Sequence, residues 1–264
     1  MLTSYQAVLA LHIVAGLIGL AAFWTPAVAR KGGAVHRRAG RIFFYCTCGI
    51  ALTGLAMATL VLIDPLAVKP PSGSLSDEQA TAYTVRLRLF APFLIYLVLI
   101  TFAPVYHGVR VLETRQAPHL LRTPFHTSVN IAAILMALVM IGLGVWMRQP
   151  VFLGLSPIGI LAGWGQLRFA RRPYRTRMAW WYEHMGAMIG GGIAFHTAFL
   201  VLGAGRLFGI SISGPWAIVP WLLPTIIGVP AAILWVRYYR LRFKEDGSRT
   251  VAAKPARGAA YHSS

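Results

Sequence analysis

The chain has 264 residues, of which 57% are hydrophobic and only 12% charged, and its mean hydropathy is +0.62. Soluble domains carry about a quarter of their residues as charge, so this composition excludes an ordinary soluble enzyme or binding module and leaves a membrane protein. The net charge of +18 invites a nucleic-acid reading, but aromatic and groove-reading elements are lacking, and no nucleic-acid partner is expected.

A helix needs about 20 largely apolar residues to cross the hydrocarbon layer. Seven runs meet that need, at about 5–25, 42–63, 89–109, 127–147, 151–169, 180–204 and 216–236. Each is about twice as long as a tilted barrel strand. The expected fold is all-α, a polytopic membrane bundle of about seven helices. It forms one transmembrane domain over residues 1–242, followed by a disordered basic cytoplasmic tail over 243–264.

The first run lacks a positive leader and a small-residue cleavage site, so it is expected to stay as a helix. After it comes KGGAVHRRAGRIFFY, residues 31–45, in which Gly32 and Gly33 supply a turn and Lys31, Arg37, Arg38 and Arg41 surround His36. Cys46 and Cys48 in the second run point to nearly opposite sides of a helix and read as inert thiols. The connection 64–88 is irregular through Pro65, Pro70 and Pro71. Ser76-Asp77-Glu78-Gln79 then reads as a capping box whose helix runs on into the third span. Thr123 and Pro124 read as the N-cap and first position of the fourth. Gly186 and Gly190 give the sixth run a G-x-x-x-G, read first as helix packing. Pro220, Pro224 and Pro230 kink the seventh.

Basic residues divide sharply between alternate connections. Segments 26–41, 110–125, 167–178 and 237–264 hold 5, 3, 5 and 7 of them, against 3, 1 and 1 in 64–88, 148–150 and 205–215. Positive charge marks the cytoplasmic side, so the N-terminus is expected outside and the C-terminus inside. Anionic lipid at that face is the expected partner of the bilayer-embedded chain.

Ionisable groups within a membrane are functional candidates by default. Glu183 is the one acid in a predicted span, which lowers a transporter reading based on buried carboxylates. Histidines supply the rest. His12 and His196 fall at similar depth in the outer half and are positioned to face each other, while His36, His107, His126 and His184 gather on the inner side. Such a pattern suits two b-type haems held by neutral imidazoles, with His12, His184 and His196 as leading iron ligands. Each histidine near a helix end also has a plainer reading as an interfacial hydrogen-bonding residue.

The stretch LHIVAGLIGLAAFWTPAVARKGGAVHRRAGRIF, with His36-Arg37-x-x-Gly40 before the second helix, resembles a family of bacterial multi-pass membrane proteins classed as a domain of unknown function. WWYEHMGAMIGGGIAFHTAFLV, with its His-Met and Thr-Ala-Phe-Leu, resembles the same family. The resemblance implies a bacterial inner (plasma) membrane location and draws attention to His12, His36, Arg37, Gly40 and His184. It implies no activity. On it, His36 and Arg37 form an inner-face site, where the arginine suits a haem propionate, a quinone oxygen or a lipid phosphate.

The functional expectation is therefore electron transfer through haem b or a quinone, with a quinone or redox partner. His12, His184, His196, His36, Arg37, His107 and His126 are the candidate binding residues. A small-solute transporter or channel and a non-catalytic assembly or lipid-interacting subunit are the alternatives.

Overall fold

The computed structural model describes residues 2–172, 176–209 and 214–245, and among these it contains helices and turns but no strand. Seven elements are long and apolar enough to cross a membrane. They are α1 (Leu2–Val28), α2 (Ala34–Ile63), α4 (Asp77–Thr114), α5 (Pro124–Trp146), α6 (Pro150–Arg171), α7 (Ala179–Ala198) and α9 (Val219–Arg242). A π-helical turn carries α7 on to Gly203, and a 3-10 turn at Gly214–Ile218 leads into α9. Short helices α3 (Pro65–Val68) and α8 (Ala204–Phe208) lie in connections. The chain is an all-α multi-pass membrane protein.

Local chemistry accounts for the helix ends. Ser76 Oγ accepts from the Gln79 N–H while Gln79 Oε1 accepts from the Ser76 N–H. From this capping box α4 runs unbroken for 38 residues. Thr123 caps α5 by accepting from the His126 N–H, with Pro124 in the first turn. Gly32 adopts φ +74°, a left-handed conformation that favours glycine. The turn is shorter than the sequence suggests. Helix α2 begins at Ala34, so His36, Arg37, Arg38 and Arg41 stand on its first turns rather than in a loop.

Long side chains close other ends. Lys31 Nζ donates to the Pro26 and Ala27 carbonyls of α1. Arg88 donates to Leu62 and Ile63 at the end of α2, and Arg122 to Ala170 and Arg171 at the end of α6. These carbonyls have no partner within their own helices, so the cations satisfy them. Glu245 accepts from the Met178 N–H at 3.2 Å and the Tyr182 hydroxyl at 3.0 Å, fastening the segment after α9 to the start of α7. The remaining tail, expected to be disordered, lies outside the described residues.

Helix α4 sits centrally, packed against α2, α5, α6 and α7, while α1 lies beside α2 and α9 beside α7. The largest core cluster joins Phe93, Tyr96 and Ile100 of α4 to Ala137 and Met140 of α5 and Phe152 and Leu155 of α6. Close approach at α7 runs through Gly191 and Gly192 rather than the Gly186 and Gly190 pair. A Cβ at Gly191 would stand 2.1 Å from Val105 of α4 and one at Gly192 2.1 Å from Phe23 of α1, whereas Gly186 faces open space. Small residues thus let three backbones approach.

Candidate functional site

Three side chains from three helices meet inside the bundle near its basic end. His107 lies on α4, seven residues before its last residue Thr114. His126 is in the first turn of α5, and Glu183 is in the second turn of α7. Glu183 Oε1 stands 2.9 Å from His107 Nε2, and His107 Nδ1 stands 2.9 Å from His126 Nε2. Both imidazoles are buried, at 0% and 1% exposure, while the Glu183 side chain keeps 31%. The chain of hydrogen bonds therefore runs from an enclosed imidazole to a partly open carboxylate.

The surroundings hold these rings in place. Phe169 of α6 meets His107 edge-on at 5.7 Å, and Tyr106 packs 6.4 Å from His126. Asn130, one turn after His126, donates from Nδ2 to the His126 carbonyl at 2.8 Å and lies 3.4 Å from His126 Nε2. Arg110, on the turn after His107, is paired with Glu113. His126 Nδ1, Asn130 Oδ1 and Gln166 Oε1 are buried without a partner from the protein chain. A buried polar atom left so is costly, and each marks a place where a small molecule or proton gains by binding.

The other candidate residues fall elsewhere. His12 Nδ1 lies 2.8 Å from Thr53 Oγ1, and the Thr53 hydroxyl donates to Gly49 O at 2.7 Å. The imidazole is therefore the donor of the pair, and His12 Nε2 keeps its lone pair. His184 is built the same way, with Nδ1 donating to Gly108 O at 2.9 Å. His36 lies near enough to His184 for their charges to interact, and its Nδ1 is buried and unpaired. Arg37 donates to Gly32 O across the turn.

His196 accepts from the Trp24 indole at 3.0 Å and donates to Gly192 O at 2.7 Å, so both its nitrogens are engaged. Trp24 is twelve residues beyond His12 on α1, about 18 Å along the axis. The structure thus does not bring His12 and His196 together. Depth counted along separate helices missed the offset between them. Among the described residues no group of three or more His, Cys, Asp or Glu side chains is placed to hold one metal ion.

Glu183 is the one acid in a predicted span, yet the motif draws attention to its neighbour His184, and Glu183 is not among the candidate binding residues read from the sequence. Its partners were visible only as histidines on the same side of the membrane. Nothing local to residues 107, 126 and 183 shows that they converge. The arrangement can pass a proton by exchange of hydrogen bonds. A proton added at His126 Nδ1 releases the Nε2 proton to His107 Nδ1, and His107 releases its own Nε2 proton to Glu183. Compared with known protein families, curated proteins and solved structures, the chain matches none.

Proposed function

We propose that this is a proton-handling membrane protein in which His126, His107 and Glu183 carry protons between the bundle interior and the basic face. The observation that carries the reading is the continuous 2.9 Å and 2.9 Å chain through two buried imidazoles to a carboxylate. A structural ion pair would need one histidine. Two in series, with an unpaired nitrogen at the enclosed end, suit transfer. On this reading the protein lies in a bacterial inner membrane with its basic face toward the cytoplasm, and the resemblance to a bacterial family of unassigned function stands as part of the proposal.

The test is potential-driven proton uptake into proteoliposomes, read with an enclosed pH dye. Uptake above that of protein-free vesicles is expected, falling tenfold or more in Glu183→Gln and His126→Leu. Uptake equal to protein-free vesicles, or unaltered in Glu183→Gln, overturns the reading.

One observation favours electron transfer as a second reading. His12 and His184 each anchor Nδ1 and leave Nε2 free, which is the tautomer that binds haem iron. His36 stands on the α2 turn that carries Arg37, the place expected for a haem or quinone. A purified protein with Soret and alpha bands that disappear in His184→Ala supports it; a colourless folded protein counts against the haem form.

A further inference from the structure

Of the four buried side-chain atoms without a partner among the described residues, three belong to residues that the helical register brings to one level of the bundle. Helices α5 and α6 touch where a Cβ on Gly163 would stand 2.9 Å from Asn130 O. The two helices run in opposite directions. One turn toward the basic end from this contact is His126 on α5, at i−4 from Asn130, and Gln166 on α6, at i+3 from Gly163. His126, Asn130 and Gln166 are 1%, 1% and 5% exposed. The helical register thus brings His126, Asn130 and Gln166, each with a buried polar atom lacking a partner, to one polar spot where α5 meets α6.

We propose that this spot binds a single internal water molecule, and that the water fixes His126 as the tautomer carrying its proton on Nδ1. The inference deepens the relay reading, because the water stands at the enclosed end of the relay. Donor and acceptor counting leads to it. The Asn130 amide is oriented by its Nδ2 bond to the His126 carbonyl, so Oδ1 is an acceptor with nothing to accept. Gln166 Oε1 is a second buried acceptor without a partner. Water has two O–H donors and a free lone pair, and buried waters make about three hydrogen bonds. Two O–H groups reach the two amide oxygens, and the lone pair is left to accept from His126 Nδ1–H. With the proton on Nε2 instead, the spot would hold three acceptors for two donors.

An independent distance points the same way. Asn130 Nδ2 lies 3.4 Å from His126 Nε2. That contact is favourable when Nε2 is a lone pair and opposes two donors when Nε2 carries hydrogen. With His126 as the Nδ1–H form, His107 Nδ1–H donates to His126 Nε2, and the relay is in its proton-loaded arrangement. The proton balance between the two arrangements is one, carried at Glu183 or His107.

The test is solid-state NMR of the full chain in lipid bilayers with 15N-labelled histidine. The expected wild-type result is a protonated His126 Nδ1 that receives magnetisation directly from water, while the His196 nitrogens, bonded to Trp24 and Gly192, receive little. Gln166→Met and Asn130→Leu should each at least halve the transfer, with the Trp24–His196 signals reporting an intact fold. A wild-type His126 Nδ1 without a proton, or with no water transfer, overturns the proposal whether or not a variant folds. Transfer unchanged in a folded Gln166→Met also overturns it. The relay reading fails separately: water transfer that depends on Gln166, in a protein without proton flux, keeps the water site and removes the relay.

Discussion

The indole N–H of Trp24 donates to Nε2 of His196 across 3.0 Å, and the ring planes stand at 90°. The same imidazole donates from Nδ1 to Gly192 O. His196 is thereby a neutral ring locked between α1 and α7. A double-mutant cycle of Trp24→Phe and His196→Ala, followed by thermal melting in detergent, should show a coupling of about 0.5–1.5 kcal/mol. His12→Ala combined with His196→Ala should be additive within about 0.5 kcal/mol, because the two side chains share no partner. Coupling between the histidines instead would mean that they meet.

Tyr96 makes a different kind of contact. Its buried hydroxyl accepts from the Gly159 N–H at 3.0 Å and donates to Leu155 O at 2.7 Å, so it enters the hydrogen-bond ladder of α6 just beyond Pro157. Tyr96→Phe removes both bonds and leaves the ring within the core cluster of α4, α5 and α6. A loss of about 1–3 kcal/mol is expected in detergent melting. No loss would show that α6 closes its own ladder once the hydroxyl is gone.

The glycines of α7 separate packing from mere abundance. Gly191→Ala places a methyl 2.1 Å from the Val105 side chain, which is β-branched and fully buried. A cost of about 1–3 kcal/mol is expected from overpacking. Gly186→Ala meets open space and should raise stability by up to about 1 kcal/mol through helix propensity. Melting of the two variants side by side reads the difference, and equal effects would contradict this packing.

Orientation is checked by fusions. With the basic end in the cytoplasm, alkaline phosphatase fused after Glu245 should be inactive and a fluorescent protein fused there should be bright. The opposite pair of results would reverse the assignment.

Seven spans, the Ser76 capping box and the Thr123 cap were legible because each depends on residues close in sequence. The start of α2 was not. The charges at residues 37, 38 and 41 suggested a loop, yet Lys31, Gly32 and Gly33 complete the turn and arginines are good helix formers. The site was less legible still. His107 and His126 read equally well as residues at a helix end, and their role depends on the rotation of α4 and α5 about their axes. Depth was the one available signal: Glu183, His107 and His126 all lie within a few turns of the basic end. The same signal misplaced His12 and His196, because helices of unequal length need not start at the same level.

The order in which the chain is made bears on the His107–Glu183 bond. His107 and His126 belong to neighbouring helices, and their hairpin is complete well before Glu183 is synthesised. Until α7 enters the bilayer, the pair of imidazoles lacks its carboxylate, and the central helix α4 lacks the glycine face that Val105 needs. A chain ending after α6 would therefore leave His107 Nε2 without its acceptor inside the bundle. Insertion of α7 supplies the acid and the packing in a single event, so maturation of the site and commitment of the fold occur together.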